Sequence, residues 1–440
     1  MTTFTAETYQ NEYLPEGGAE VNAVVTVAAS GSAVNGRVGG SIGDVDAVRG
    51  ASSVEAAEIV IIDISGSMNY PPAKLRAAQE ATGAALDCIR DGVWFGVIAG
   101  TKLAHQIYPE PGALVPASTQ TRNDAKFAVA QLQAQGGTAI GAWLGLANEL
   151  FATQPNAIHH AILLTDGKDE SETPAELMEV LAACDGTFQC DCRGVGTDWV
   201  VSELRTVASA LLGTVDIIAN PADMPADFQA VIEKAMGKAV NDVALRLWTP
   251  QGAKVQFVKQ VAPTIEELSG KRIVVNDLTG DYPTGAWGDE SRDYHVCIKV
   301  TPGKVGDEML AGRISLVVDG QVQSQALIKA IWTDDTQLST QMNREVAHYT
   351  GQAELAQVIQ EGLEARKAGD EGTATVKLGR AVQLAAQTGN DATTKLLAKV
   401  VDVEDPATGT VRLKRQVEDA DEMALDTRST KTVRVNRPVS

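Results

Sequence analysis

Residues 58–68 read Glu58-Ile-Val-Ile-Ile-Asp63-Ile-Ser65-Gly66-Ser67-Met68, an apolar β-branched run that ends in an acid and two alternating hydroxyls. A continuous run such as Ile59–Ile62 has the pattern of a strand buried on both faces of a parallel sheet. Asp63 to Ser67 then fall at the strand's carboxyl end, where open α/β sheets bind ligands. One carboxylate with two hydroxyls is an all-oxygen donor set, which suits a hard cation such as Mg²⁺.

Two later stretches supply matching groups. Gly136-Gly137-Thr138 is a tight turn carrying a hydroxyl ahead of a helical pattern, and Ala161-Ile-Leu-Leu-Thr-Asp166-Gly167 is a second apolar strand ending in an acid. Asp-x-Ser-x-Ser, then Thr, then a strand-terminal Asp, resembles the metal-ion-dependent adhesion site of von Willebrand factor A (vWA) domains. The resemblance covers roughly residues 55–240, under half of the chain, and extends in layout to multi-domain vWA proteins of actinobacteria. It implies a metal site of Asp63, Ser65, Ser67, Thr138 and Asp166 in a surface cleft, holding Mg²⁺ or Mn²⁺. It also implies that the serines and either the threonine or an acid touch the ion, while the remaining carboxylates act through water. A Glu or Asp of a partner protein would complete the shell. The expected function is a metal-dependent protein-interaction module, in complex assembly or Ser/Thr-kinase-linked signalling of a bacterium.

Catalysis is the competing reading. A bound metal can activate water, and Asp169 and Glu170 lie on the loop after Asp166. Neither is a clear general base, and no His or Lys is implied beside Ser65 or Ser67 to activate them as nucleophiles. The expectation is therefore no enzyme and no catalytic residue, with a metal-dependent hydrolase or phosphatase as the alternative.

The chain has 440 residues, 44% apolar and 21% charged, which fits a globular protein of several domains. A formal charge of −20 argues against nucleic acid and anionic membrane as partners. No apolar run reaches membrane-spanning length. The first ten residues lack a basic and an apolar region, so a cytoplasmic location is expected. Five cysteines fit a reducing compartment. Cys184, Cys190 and Cys192 cluster; they read as small buried apolar residues, with a thiolate metal site or redox pair as the alternative.

The expected fold is α/β: a vWA/Rossmann-like doubly wound sheet, plus an all-β sandwich and a short C-terminal helical region. Residues 1–54 hold a strand over 20–29 and a Gly/Ser/Ala-rich flexible loop over Ser30–Ser53. Residues 55–240 alternate strand and helix, with helices at Ala73–Arg90, Asp124–Gln133, Ile140–Phe151, Pro174–Ala183, Trp199–Ala208 and Pro225–Val240. Residues 241–335 carry short strands in β-sandwich spacing, and the orphan 20–29 strand is assigned to that sandwich. Residues 340–400 form a helical pair with tetratricopeptide-like spacing, with Val376 and Leu378 in one apolar stripe. Residues 401–440 read as a disordered tail. Thr427, Thr430 and Thr432 in it are candidate phosphorylation sites for a phosphopeptide-binding protein, and an unmodified solvated tail is the alternative. A scaffold acting through that tail is a further reading.

Overall fold

The computed structural model describes residues 2–31 and 55–435. The predicted flexible loop falls almost entirely outside the described residues. The chain divides into two compact units, one built on residues 30–241 with 285–289, the other on 4–29, 242–284 and 290–440.

The chain opens with β1 (Thr3–Gln10), β2 (Tyr13–Pro15) and β3 (Glu20–Ser30), which serve the second unit. The first unit follows: β4 (Ala56–Asp63), α1 (Ala73–Cys88), β5 (Trp94–Gly100), β6 (Ala104–Tyr108), β7 (Val115–Pro116), α2 (Thr119–Ala130), α3 (Ile140–Phe151) and β8 (Ile158–Thr165). It continues with α4 (Pro174–Cys184), β9 (Gln189–Val195), α5 (Val201–Ala210), β10 (Val215–Ile218) and α6 (Met224–Met236). Among the described residues the sheet runs β10-β9-β8-β4-β5-β6, with β7 also on β5. The strands from β10 to β5 are parallel.

Ile59 to Ile62 are fully buried because β4 is central and covered on both faces. Val60 and Ile62 pack with Ala78, Ala81 and Ala85 of α1 and Phe228 and Ile232 of α6. On the other face the Trp143 ring of α3 lies so close to Gly100 that any Cβ there would overlap it. After β4 the chain moves first to β5 on one side and later to β8 on the other. The switch point therefore lies between the carboxyl ends of β4 and β8, where Asp63 and Asp166 stand.

α2 begins five residues before the predicted Asp124. Ser118 caps it, its hydroxyl accepting from the Thr121 amide while Thr121 Oγ1 accepts from the Ser118 amide.

The second unit adds β11 (Ala244–Trp248), β12 (Lys254–Ala262), β13 (Glu266–Glu267), β14 (Ile273–Asn276), β15 (Thr279–Pro283), β16 (Glu290–Lys299), β17 (Glu308–Val318) and β18 (Gln321–Thr333). One sheet runs β1-β3-β16-β12-β13 and the other β14-β15-β11-β17-β18-β2. The sheets face each other: a Cβ on Gly312 of β17 would sit 2.7 Å from Ile298 Cδ1 of β16. β3 pairs antiparallel with β16 from Ala29↔Glu290 to Glu20↔Lys299, so the first strands of the chain complete this sandwich. Gly280 and Asp281 lie within β15.

Helices α7 (Thr336–Ser339), α8 (Arg344–Lys367), α9 (Glu371–Thr388) and α10 (Asp391–Val400) follow. Val376 is 70% exposed, which corrects its place in the stripe; the buried face of α9 is Ala374, Leu378, Ala381, Val382 and Ala385.

Residues 401–435 are a second correction. They form β19 (Val401–Asp405), β20 (Thr410–Leu413) and α11 (Asp419–Arg428), followed by a segment that bridges to Thr264. Their composition is poor in large apolar groups, but Val401, Val411 and Leu425 are buried against Leu363, Leu378 and Leu397 of the preceding helices. A few apolar side chains suffice to order a segment when a core is already there to receive them. Thr427 is fully buried, and Thr430 and Thr432 are half-buried. Thr432 Oγ1 donates to the Val261 carbonyl at 2.7 Å. These threonines therefore sit in packed structure, which removes the flexible tail on which the phosphorylation reading rested.

Candidate metal centre

Three loops converge at the ends of β4 and β8. The loop after β4 is tied to its neighbours by backbone bonds from Ile64 N to Gly100 O (2.9 Å), Gly66 N to Gly136 O (3.0 Å) and Gln135 N to Ile64 O (2.7 Å). The Thr138 turn is held by Ala139 N to Thr101 O (3.2 Å) and Ser171 N to Thr138 O (2.9 Å). Gly136 has φ +80°, a left-handed conformation that favours glycine, and it aims its carbonyl at Gly66.

The five residues singled out from sequence are brought together. Asp63 Oδ1 accepts from the Ser65 amide at 2.7 Å and Oδ2 from the Thr165 hydroxyl at 2.5 Å. Ser65 Oγ and Ser67 Oγ are 2.9 Å apart, and Ser67 Oγ donates to Asp166 Oδ1 at 2.7 Å. Thr138 joins them beside Gly167. A Cβ on Gly167 would lie 3.3 Å from Ser67 Oγ, 3.3 Å from Thr138 Oγ1 and 3.9 Å from Ser65 Oγ. Three hydroxyls thus surround the space that the missing side chain leaves, with two carboxylates behind them. This all-oxygen set fits a hard divalent cation.

Asp63 and Asp166 are fully buried, Ser65 and Thr138 nearly so, and Ser67 half-buried. The two acids thus lie beneath the surface, and Ser67 is the most exposed of the five. Burial pushes the Asp63 carboxyl up to about 6, against the hydrogen bonds from Thr165 and Ser65 that hold it down. A cation beside it would favour the ionised form.

Sequence reasoning missed Lys74 and Thr165. Lys74 Nζ pairs with Asp166 Oδ2 at 2.5 Å. The only local sign of Lys74 is a cation in the first turn of an Ala-rich helix; Thr165 lay in plain view beside Asp166.

On the rim, Glu172 Oε1 accepts from the Gly141 amide at 2.5 Å, at the start of α3. The Asp169 amide donates to Glu203 at 3.2 Å. Burial, together with the neighbouring Glu172 and Glu203 carboxylates, pushes the Asp169 carboxyl up to about 9. Glu170 is exposed.

Among the described residues no group of three or more His, Cys, Asp or Glu side chains is placed to hold a metal. All five cysteines are free; Cys184, Cys190 and Cys192 are buried, and burial pushes the Cys184 thiol up to about 11. His160 lies within β8. It bridges Glu58 (2.8 Å) and Asp191 (3.2 Å) at the opposite end of the strands from the hydroxyls.

Residues 57–217 match the family model for the von Willebrand factor type A domain, and residues 383–429 match that for the von Willebrand factor type A C-terminal domain. The solved structure of a von Willebrand factor type A protein from Catenulispora acidiphila is 51% identical, with 99% of this chain and 98% of that chain covered at a TM-score of 0.91. The ArnB paralog VWA2 from Sulfolobus acidocaldarius shares the fold at 14% identity, with 98% of each chain covered and a TM-score of 0.56. Among curated proteins, von Willebrand factor A domain-containing protein 5A of Rattus norvegicus is 27% identical over 262 residues, 57% of this chain. The match spans 30% of that relative's length. With residues 57–217 carrying the fold and the full length aligned to the Catenulispora protein, the chain belongs to the von Willebrand factor type A family.

Proposed function

We propose that the chain binds a divalent cation, Mg²⁺ or Mn²⁺, at Asp63, Ser65, Ser67, Thr138 and Asp166, and through it a Glu or Asp side chain of a partner protein. The observation that carries this is the convergence of three hydroxyls on the open space beside Gly167. Hydroxyls neutralise little of a cation's charge, so a bound ion retains Lewis acidity for an incoming carboxylate oxygen.

The chain's own residues prepare the site. Asp63 is anchored by the Ser65 amide and the Thr165 hydroxyl, so its carboxylate cannot swing away. Asp166 has one oxygen on Ser67 and the other on Lys74, which suits a role behind the hydroxyls, acting through them or through water. The burial of both acids keeps bulk water from screening their charge.

Role and setting follow the same reading: a protein-interaction module in complex assembly, without catalysis, in a bacterial cytoplasm. Five free cysteines suit a reducing compartment, and the Catenulispora relative is similar over nearly its whole length. The threonines at 427, 430 and 432 sit in packed structure and offer no flexible segment to a phosphopeptide reader, so complex assembly is the setting proposed.

A pull-down from source lysate tests this, in Mg²⁺ or EDTA, with wild type and with Thr138→Ala, a smaller change than removing a buried acid. A partner held only by wild type in Mg²⁺ is the expected result. The same partners with EDTA and with Thr138→Ala would sink the metal-bridged reading.

A further inference from the structure

Lys74 stands where a lysine is disfavoured twice. It lies in the first turn of α1, where the helix dipole favours anions. Its side chain is only 5% exposed, and a buried ammonium is costly unless paired. What offsets both costs is Asp166 Oδ2 at 2.5 Å, with Asp198 a second approach at 3.6 Å. The acid it chooses is one of the two behind the hydroxyl cluster, and the other oxygen of that acid accepts from Ser67.

We propose that Lys74 is the residue that makes the cation-loaded site select a carboxylate. This rests on the metal-bridged reading above and names what sets its ligand preference. Asp63 and Asp166 bring two negative charges to the site, and Lys74 returns one positive charge; Asp198 is 71% exposed, so water screens its charge and it counts for little. A divalent cation added to that set leaves one positive charge over, which one incoming carboxylate neutralises. Without Lys74, cation and acids balance by themselves, and an anionic ligand gains nothing from charge.

Lys74 also repels the cation. The metal therefore binds more weakly alone than it would beside two uncompensated acids, and it binds more tightly once the carboxylate is present. Cation and carboxylate affinities are coupled, and by linkage the coupling is reciprocal.

The full chain is titrated with Mn²⁺ at pH 8, with free Mn²⁺ followed by electron paramagnetic resonance, with and without acetate as the minimal carboxylate. Wild type, Lys74→Met and Lys74→Arg are compared, and circular dichroism checks their fold. In wild type, acetate is expected to tighten Mn²⁺ binding several-fold. Lys74→Met is expected to bind Mn²⁺ about ten-fold more tightly without acetate, because a repelling charge has gone, and to show no acetate effect. Lys74→Arg keeps the charge and the acetate effect. A Lys74→Met protein with the wild-type acetate effect overturns the inference and leaves the metal site standing. So does a wild type that binds Mn²⁺ indifferently to acetate. If Lys74→Met does not fold, loss of the acetate effect in a folded Lys74→Arg overturns it instead. A wild type that binds no Mn²⁺ sinks the metal-bridged reading itself, and this inference with it.

Discussion

At the scale of single residues, Gly167 matters for what it lacks. Its φ is not left-handed, so alanine is allowed by the backbone, yet the new Cβ would stand 3.3 Å from both Ser67 Oγ and Thr138 Oγ1. Gly167→Ala is expected to keep the thermal midpoint near wild type and weaken Mn²⁺ binding by about ten-fold or more, through crowding of the donors. Isothermal titration calorimetry with Mn²⁺ decides it, and unchanged affinity would mean that the cation does not sit among these hydroxyls. Asp63→Ala behaves differently, because a fully buried acid is removed. The Ser65 amide and Thr165 hydroxyl lose their acceptor, at a cost of about 1–3 kcal/mol. That variant should lose metal binding and also unfold at lower urea concentration.

At the scale of elements, β4, β8 and β9 are stitched at their amino halves by Glu58, His160 and Asp191. Burial works to lower the His160 pKa, but the flanking carboxylates outweigh it and raise it to about 10, above the ordinary 6.5. Burial pushes Glu58 up. A histidine whose folded pKa is raised contributes stability that is fully present below pH 6.5 and is lost as pH rises through about 10. The wild-type thermal midpoint should therefore fall between pH 7 and 10 more steeply than that of His160→Leu; equal slopes would show that the imidazole is not held charged. His160→Leu also leaves Glu58 buried without its partner, a loss of about 3–5 kcal/mol in urea denaturation at pH 7.

At the scale of the whole molecule, the last described residues act as a strap within the second unit. Thr430 O accepts from the Ile265 amide at 2.8 Å and the Thr432 amide donates to Pro263 O at 3.0 Å. Val433 exchanges two bonds with the Gln352 side chain, at 2.6 and 2.9 Å. Deleting residues 430–440 forfeits these bonds, which together contribute on the order of 2–5 kcal/mol. The truncated protein should melt at a lower temperature by differential scanning calorimetry; an unchanged melting profile would show the strap to be idle.

Much of this was legible in the chain because it is local. Ile59–Ile62 followed by Asp63, the matching run to Asp166, and the amphipathic segments between them specify a parallel sheet with helices and name the oxygen donors. Periodicity over a few residues suffices for that. Local pattern failed where distant partners decide. Ser118 reads as a loop residue until its capping box with Thr121 is seen. Val401, Val411 and Leu425 are too sparse to make a core, and are buried only because α8 to α10 already present one. Lys74 and Asp166 are 92 residues apart in sequence, and no spacing rule joins them. The sequence by itself determined the succession of strands and helices and the chemistry of the donor set. Only the tertiary structure decided that Asp63 is buried, that Lys74 neutralises Asp166, and that residues 401–435 pack into regular structure. Each of these depends on the order of strands in a sheet or the meeting of separate helices, and such long-range packing leaves no periodic trace along the chain.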